Sequence, residues 1–324
     1  MVWKNRLLSR IKYHTAENFT TDFGIKMRRF IWPLVHFAIC HFGVNKPYEV
    51  KRYPKVEKGK PCIFAAGHLF TEEVATNLTV LDRSTWVLVG TTDQVDYNPR
   101  FLFLWLCGVI FVNKKDGSLR QDAFKKMKRI LDSGSSIILY PEGGLNHSEN
   151  EYIRHLFPGI YHLSKATEAP IVPIISEEVS NGAKIHIAAG EPINAWEMEK
   201  DEALAEVRGA MSTLRFELGD SEVVERKSLV GDLHMSHMQN RLDGYLETKW
   251  VNPDWDEEMM YYTKPGYVSY EEAFGALDNV KVTPENAHII APVLARLEEC
   301  RRYDLKRFIK DNWKRRQKEL RGRR

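Results

Sequence analysis

From Lys60 onward the chain alternates between two hydrophobic patterns. Apolar runs of five or six residues, at 62–66, 86–90, 109–113, 136–140, 171–175 and 184–189, are rich in Val, Ile and Phe and read as strands. Between them, residues 119–131 repeat apolar positions at helical spacing through Ala123, Met127 and Ile130, and Ser133-Gly134 marks the stop. Residues 199–218 read as a further helix. Strands alternating with helices predict an α/β fold with a central sheet flanked by helices.

The N-terminal residues follow another rule. Over 1–45 the pattern is helical and amphipathic: Trp3, Leu7, Leu8, Ile11 and Tyr13 interleave with Lys4, Arg6, Arg10 and Lys12. A second piece, 25–42, sets Lys26, Arg28 and Arg29 just before Phe30, Ile31, Trp32, Leu34, Val35 and Phe37. Such a helix suits the headgroup region of a lipid layer. The alternative is a helix packed on its own domain. After residue 221 the sequence turns polar and rich in Trp and Tyr and offers no chemistry. A last helix is expected near Thr283-Pro284-Glu285, where Thr can cap and Pro suits the first turn; Pro292 kinks it, and it runs to about Leu320. The expected organisation is an amphipathic helical membrane-association segment at 1–55, an α/β domain at 56–220, and a C-terminal helical extension at 221–324 ending in a basic helix.

Charge sharpens that division. Residues 1–30 carry seven Lys/Arg against two acids and residues 301–324 twelve against three, so a net charge of +3 leaves the middle strongly acidic. Basic ends point to an anionic surface, either lipid headgroups or nucleic acid. The C-terminal tail has no recognisable nucleic-acid module, and its Leu305, Phe308, Ile309, Trp313 and Leu320 read as a packing or lipid-facing stripe, so no nucleic acid is expected. No run approaches the roughly 20 apolar residues of a membrane-spanning helix, and none reads as a cleavable signal. The expectation is a chain peripheral to the cytoplasmic face of a membrane, of bacterial character. Cys40, Cys62, Cys107 and Cys300 are scattered, form no CxxC pair, and read as reduced thiols with no metal site.

Four segments carry candidate chemistry. Gly67-His68-Leu69-Phe70-Thr71-Glu72-Glu73 follows the strand at 62–66, so His68 falls at the carboxyl end of a strand, where open α/β sheets bind ligands. A carboxylate five residues on can fix the tautomer of the imidazole and favour the imidazolium, which makes a general base. Glu72 is the alternative partner. Tyr140-Pro141-Glu142-Gly143-Gly144 ends a strand in a turn whose glycines permit close approach by a headgroup or an oxyanion. Gly108 to Lys115 is an apolar strand delivering Lys114 and Lys115, which can anchor a phosphate. In the segment from Ala169 to Ile175, a proline inside an apolar run implies a strand with an irregular or edge-like start.

In order and spacing these four segments resemble the lysophosphatidic acid acyltransferase family of glycerolipid acyltransferases. That family's pattern is a His, four residues and an Asp; then Gly-x-Ile-Phe-Ile-Asp-Arg; then Phe-Pro-Glu-Gly-Thr; then Val-Pro-Ile/Val. The resemblance covers about residues 60–220. It implies a mixed β-sheet and an O-acyltransferase in which His68 is the general base and Glu73 its orienting carboxylate. It further implies that Lys114 anchors the acceptor phosphate and that Glu142, Gly143 and Gly144 form the acceptor-binding floor. The donor would be acyl-CoA or an acyl carrier protein, with no metal, cofactor or covalent enzyme intermediate. The acceptor would be lysophosphatidic acid or a related lysolipid. The chain departs from the pattern at Glu73 for Asp, Lys114 for Arg and Gly144 for Thr, and these changes bear on the acceptor. A non-catalytic lysolipid-binding relative of the same fold is the second reading. His147 and the apolar run 101–106 are further candidates for lining the site. The pair His234 and His237 reads as a solvated helix face.

Overall fold

The computed structural model describes residues 17–44, 46–57, 59–70, 73–90, 108–112, 116–146, 152–179, 183–220 and Thr283. Lys114, Glu72, His147, residues 101–106, the His234/His237 pair and the basic tail lie outside the described residues. The chain divides into two units, Met1–Asn252 and Pro253–Arg324, and the sheet belongs to the first.

Seven strands form one mixed sheet in the order β1-β7-β6-β2-β5-β3-β4. They are β1 (Tyr48–Arg52), β2 (Ile63–Ala66), β3 (Thr85–Val89), β4 (Val109–Phe111), β5 (Ser136–Leu139), β6 (Ile171–Val179) and β7 (Lys184–Ala189). All neighbours pair in parallel except β6 and β7. The helices are α1 (Asp22–Ala38), α2 (Glu73–Thr79), α3 (Gly117–Asp132), α4 (Gly159–Thr167) and α5 (Lys200–Asp220). The central strands β2 and β5 are buried at every position, as the continuous apolar runs require of strands covered on both faces. Adjacent β6 residues identify the covers: Ser176 turns to Asn77 of α2, whereas Glu177 turns to Arg215 of α5, so these helices lie on opposite faces. α3, α4 and α5 share one face, α4 touching both of the others.

Two expectations change. The helical segment expected to reach residue 55 gives way at Tyr48–Arg52 to an edge strand, parallel to β7. None of its residues is fully buried, so the strand lacks the apolar signature by which the others are read. β6 in turn is an interior strand despite Pro173. The Pro173 carbonyl accepts from Gly190 N–H at 2.9 Å, just beyond the end of β7, so the missing N–H falls in a gap between the β7 ladder and the Ile171–Ile193 bridge.

α1 starts at Thr21, whose hydroxyl accepts the Gly24 N–H at 3.2 Å. It is apolar on two sides. Ile25, Trp32 and Val35 are buried, and Arg28 beside them lies over the Trp86 ring at 4.9 Å. Phe23, Met27, Phe30, Leu34 and Phe37 form the opposite stripe and are exposed. The helix thus packs on its own domain and presents a second apolar face to solvent.

Candidate active site

β2 delivers the site. Its four residues are buried, and Gly67 extends its ladder by donating its N–H to Ile174 at 3.2 Å. A Cβ on Gly67 would stand 2.8 Å from Ile175 Cδ1, so a larger residue there requires that side-chain tip to shift. The next residue, His68, leaves the sheet at its carboxyl edge with its side chain 26% exposed, while Leu69 and Phe70 return to the core. Glu73 opens α2 and is completely buried.

The Glu73 carboxylate has three partners. Oε1 accepts His68 Nδ1–H, and Oε2 accepts the N–H groups of Leu69 at 2.7 Å and Phe70 at 3.2 Å. The side chain therefore folds back over the loop that precedes it, and its extra methylene relative to Asp is absorbed by that reach. Burial pushes the Glu73 carboxyl above its ordinary range, opposed by the charge and hydrogen bond of His68 and by the two main-chain donors. With Nδ1 committed to Glu73, the outward nitrogen of the ring, Nε2, is the one left for a ligand.

The turn after β5 holds His68 from the other side. Glu142, expected on the acceptor-binding floor, is buried with no exposed surface: Oε1 accepts the His68 N–H at 3.1 Å and Oε2 the Arg154 N–H at 2.9 Å. Oε2 also faces the buried Arg154 guanidinium at 3.9 Å, so the carboxylate braces the turn from within. Asn146 N–H donates to the His68 carbonyl at 2.5 Å, so the histidine backbone is tied at both ends to this turn. Gly143 has φ of +75°, a left-handed conformation that closes the turn onto Tyr140 O at 3.0 Å. The Gly144 carbonyl accepts from the buried Arg154 guanidinium. Gly143 and Gly144 are half-buried, as are His68 and Tyr140, whose rings meet at 4.6 Å between centroids.

Arg154, Asn146 and Asn77 are absent from the sequence reading. Asn77 carried a signal, since it follows Glu73 by one helical turn and so shares its face. Arg154 carried none, because a loop crossing sets its contact. Cys62 is buried, with its thiol pushed up to about 11 by burial, which leaves it inert as a nucleophile. Among the described residues no three His, Cys, Asp or Glu side chains group as a metal site.

An α/β domain with a histidine and a buried carboxylate at the carboxyl ends of its parallel strands has the build of an acid–base enzyme. Residues 48–177, from the first residue of β1 to within β6, match the family model described as Acyltransferase. This span, which holds His68, Glu73 and Glu142, is similar to an acyltransferase domain. Among solved structures the chain is similar to the 1-acyl-sn-glycerophosphate (LPA) acyltransferase PlsC from Thermotoga maritima, at 16% identity and a TM-score of 0.48, covering 68% of this chain and 98% of that one. No curated protein matches the sequence.

Proposed function

We propose that this enzyme moves a fatty acyl group from a thioester, acyl-CoA or acyl carrier protein, to the hydroxyl of lysophosphatidic acid or a related lysolipid. The observation that carries the reading is the completely buried Glu73 carboxylate bonded to the half-exposed His68. A buried charge is costly to stability, and a single imidazole with two N–H donors is the arrangement that makes it useful for proton transfer. Glu73 holds Nδ1–H and so leaves the Nε2 lone pair facing outward. Nε2 takes the hydroxyl proton as the oxygen attacks the thioester carbonyl. The C–O bond forms, the C–S bond breaks, and the thiolate leaves with the proton that His68 returns. Glu73 stabilises the imidazolium between the two transfers.

The half-buried Gly143 and Gly144 follow Tyr140, whose ring meets the imidazole, and are assigned to the acceptor on that placement. Lys114, outside the described residues, is assigned the acceptor phosphate on its motif position alone. The exposed stripe of α1 is assigned to a lipid surface: Phe23, Phe30, Leu34 and Phe37 are apolar and exposed, and the exposed Lys26 and Arg29 flank them with charge suited to anionic headgroups. An enzyme docked this way meets its lipid substrate at the interface, on the cytoplasmic side where the thioester donors are.

The test is acyl transfer by purified protein from labelled acyl-CoA and acyl carrier protein to lysophosphatidic acid and a lysolipid panel, beside His68→Ala. Product formed by wild type and lost in the variant supports the reading. Equal inertness with retained lysolipid binding would replace it with the non-catalytic one.

A further inference from the structure

Below the dyad an otherwise apolar core holds a set of polar side chains that the proton transfer does not use. Asn77 of α2 is completely buried, one turn from Glu73, and its Oδ1 accepts the Ser176 Oγ–H of β6 at 2.6 Å. The hydroxyl of Tyr140, at the end of β5, is buried there too. The Asn77 amide approaches this hydroxyl without closing a well-aligned hydrogen bond. The ring of Tyr140 lies against the His68 imidazole, tilted by 40° at 4.6 Å. The Asn77 amide, itself held by Ser176, thus lies beside the hydroxyl of an aromatic ring that touches the base.

We propose that Tyr140 is a positioning residue for His68, its ring packing against the imidazole and limiting the imidazole plane, and its buried hydroxyl set beside the Asn77 amide. The inference rests on His68 being the general base. The bond to Cβ and the Glu73 hydrogen bond at Nδ1 hold the ring at two points and leave it rotation about the line between them. A flat wall at van der Waals distance removes this rotation and keeps Nε2 aimed at the acceptor. An aromatic core position needs no hydroxyl for packing, and burying one is costly unless polar neighbours meet it. The hydroxyl stays neutral, since burial and then the nearby Glu73 charge push the phenol well above its ordinary value. It therefore contributes a fixed dipole and does not compete for the proton. Glu73, Glu142 and Tyr140 are the titratable side chains that meet His68 among the described residues, Glu142 through the main chain.

The test compares kcat and KM for wild type, Tyr140→Phe, Tyr140→Leu, Asn77→Ala and the double variant Tyr140→Phe/Asn77→Ala, each checked for folding by thermal melting. Tyr140→Leu should lose about thirtyfold in kcat with KM for both substrates within about twofold, the mark of a misaimed base. Tyr140→Phe and Asn77→Ala should each lose about fivefold, and the double variant no more than either single, because both remove the same contact. The proposal is overturned if Tyr140→Leu keeps wild-type kcat, if the loss appears in KM alone, or if the two single losses multiply. NMR of His68 gives a readout independent of turnover. Its Nδ1–H resonance should broaden in Tyr140→Leu and stay sharp in the distant control Phe216→Leu, and an unbroadened Tyr140→Leu spectrum counts against the wall. If wild type shows no His68-dependent turnover, the general-base reading falls, and the NMR result alone then decides whether Tyr140 orients the ring.

Discussion

Glu142 holds His68 by its main chain: one carboxylate oxygen accepts the His68 N–H at 3.1 Å, and the other reaches the N–H of Arg154 at 2.9 Å. Removing the carboxylate leaves two buried donors without this partner, each worth about 1–3 kcal/mol when unmet. Glu142→Ala is therefore expected to lose about 2–6 kcal/mol in urea unfolding. Its folded fraction should show a lower kcat with little change in the KM for lysolipid. A KM rise with kcat intact would place Glu142 on the acceptor after all.

Glu73 sets stability and activity against each other. Burial raises its pKa in the folded chain above the unfolded value, with His68 and two N–H groups opposing. The folded state then binds the proton more readily, so ionised Glu73 opposes folding at pH above the folded pKa, and the penalty fades as pH falls through it. Glu73→Gln removes this penalty, and the variant should melt higher than wild type at pH 8, with the gap closing in acid. Its activity should fall on the order of a thousandfold, because the amide NH2 faces Nδ1 and drives the imidazole proton to Nε2. Glu73→Asp shortens the reach to Leu69 and Phe70 and should cost up to about a hundredfold in kcat, as misplacement by about 1 Å can. Paired melts and kcat measurements at pH 5, 6, 7 and 8 check both signs.

What the sequence made legible follows from where hydrophobicity alone dictates structure. The interior strand β2, most of β5 and the first part of β6 are apolar runs because both faces are covered, and the His68 loop and Glu142 turn could be placed at the ends of β2 and β5. β1 escaped notice because Tyr-Glu-Val-Lys-Arg on a sheet edge needs little apolar character. In the site, Glu73 was legible as a local partner of His68, five positions away. The contacts of Glu142 were not, since the His68 and Arg154 main-chain N–H groups and the Arg154 guanidinium are brought to it by strand order and a loop crossing. Pro173 misled for a related reason: whether a missing N–H matters depends on where the neighbouring strand stops.

The outer face of α1 makes a separable prediction. Phe30 is 85% and Leu34 72% exposed, with Phe37 on the same stripe, whereas Trp32 and Val35 carry the packing. Replacing Phe30, Leu34 and Phe37 by Ser should leave the melting temperature nearly unchanged. Each side chain lost from a lipid layer is worth about 1.5–3 kcal/mol if fully buried, so affinity for anionic vesicles should fall at least a hundredfold in cosedimentation. Wild-type binding should weaken as salt rises, from screening of Lys26 and Arg29. Unchanged vesicle binding by the triple variant would move the interface away from α1.

Gly108 is fixed by both conformation and space. It enters β4 with φ of +83°, where an L-residue is strained by about 1–2 kcal/mol. A Cβ there would lie 2.5 Å from Arg28 Nε and 2.6 Å from Trp86 Cε3, inside contact distance on both sides. Arg28 cannot simply swing away, because it is buried over the Trp86 ring. Overpacking of this kind adds about 1–3 kcal/mol, so Gly108→Ala should destabilise the domain by about 2–5 kcal/mol in urea unfolding. The damage lies at the start of β4 and not at His68, so the folded fraction should keep kcat close to wild type while KM for the phosphate-bearing acceptor rises, since β4 aims the chain toward Lys114. A loss of kcat with KM intact would instead tie β4 to the positioning of His68.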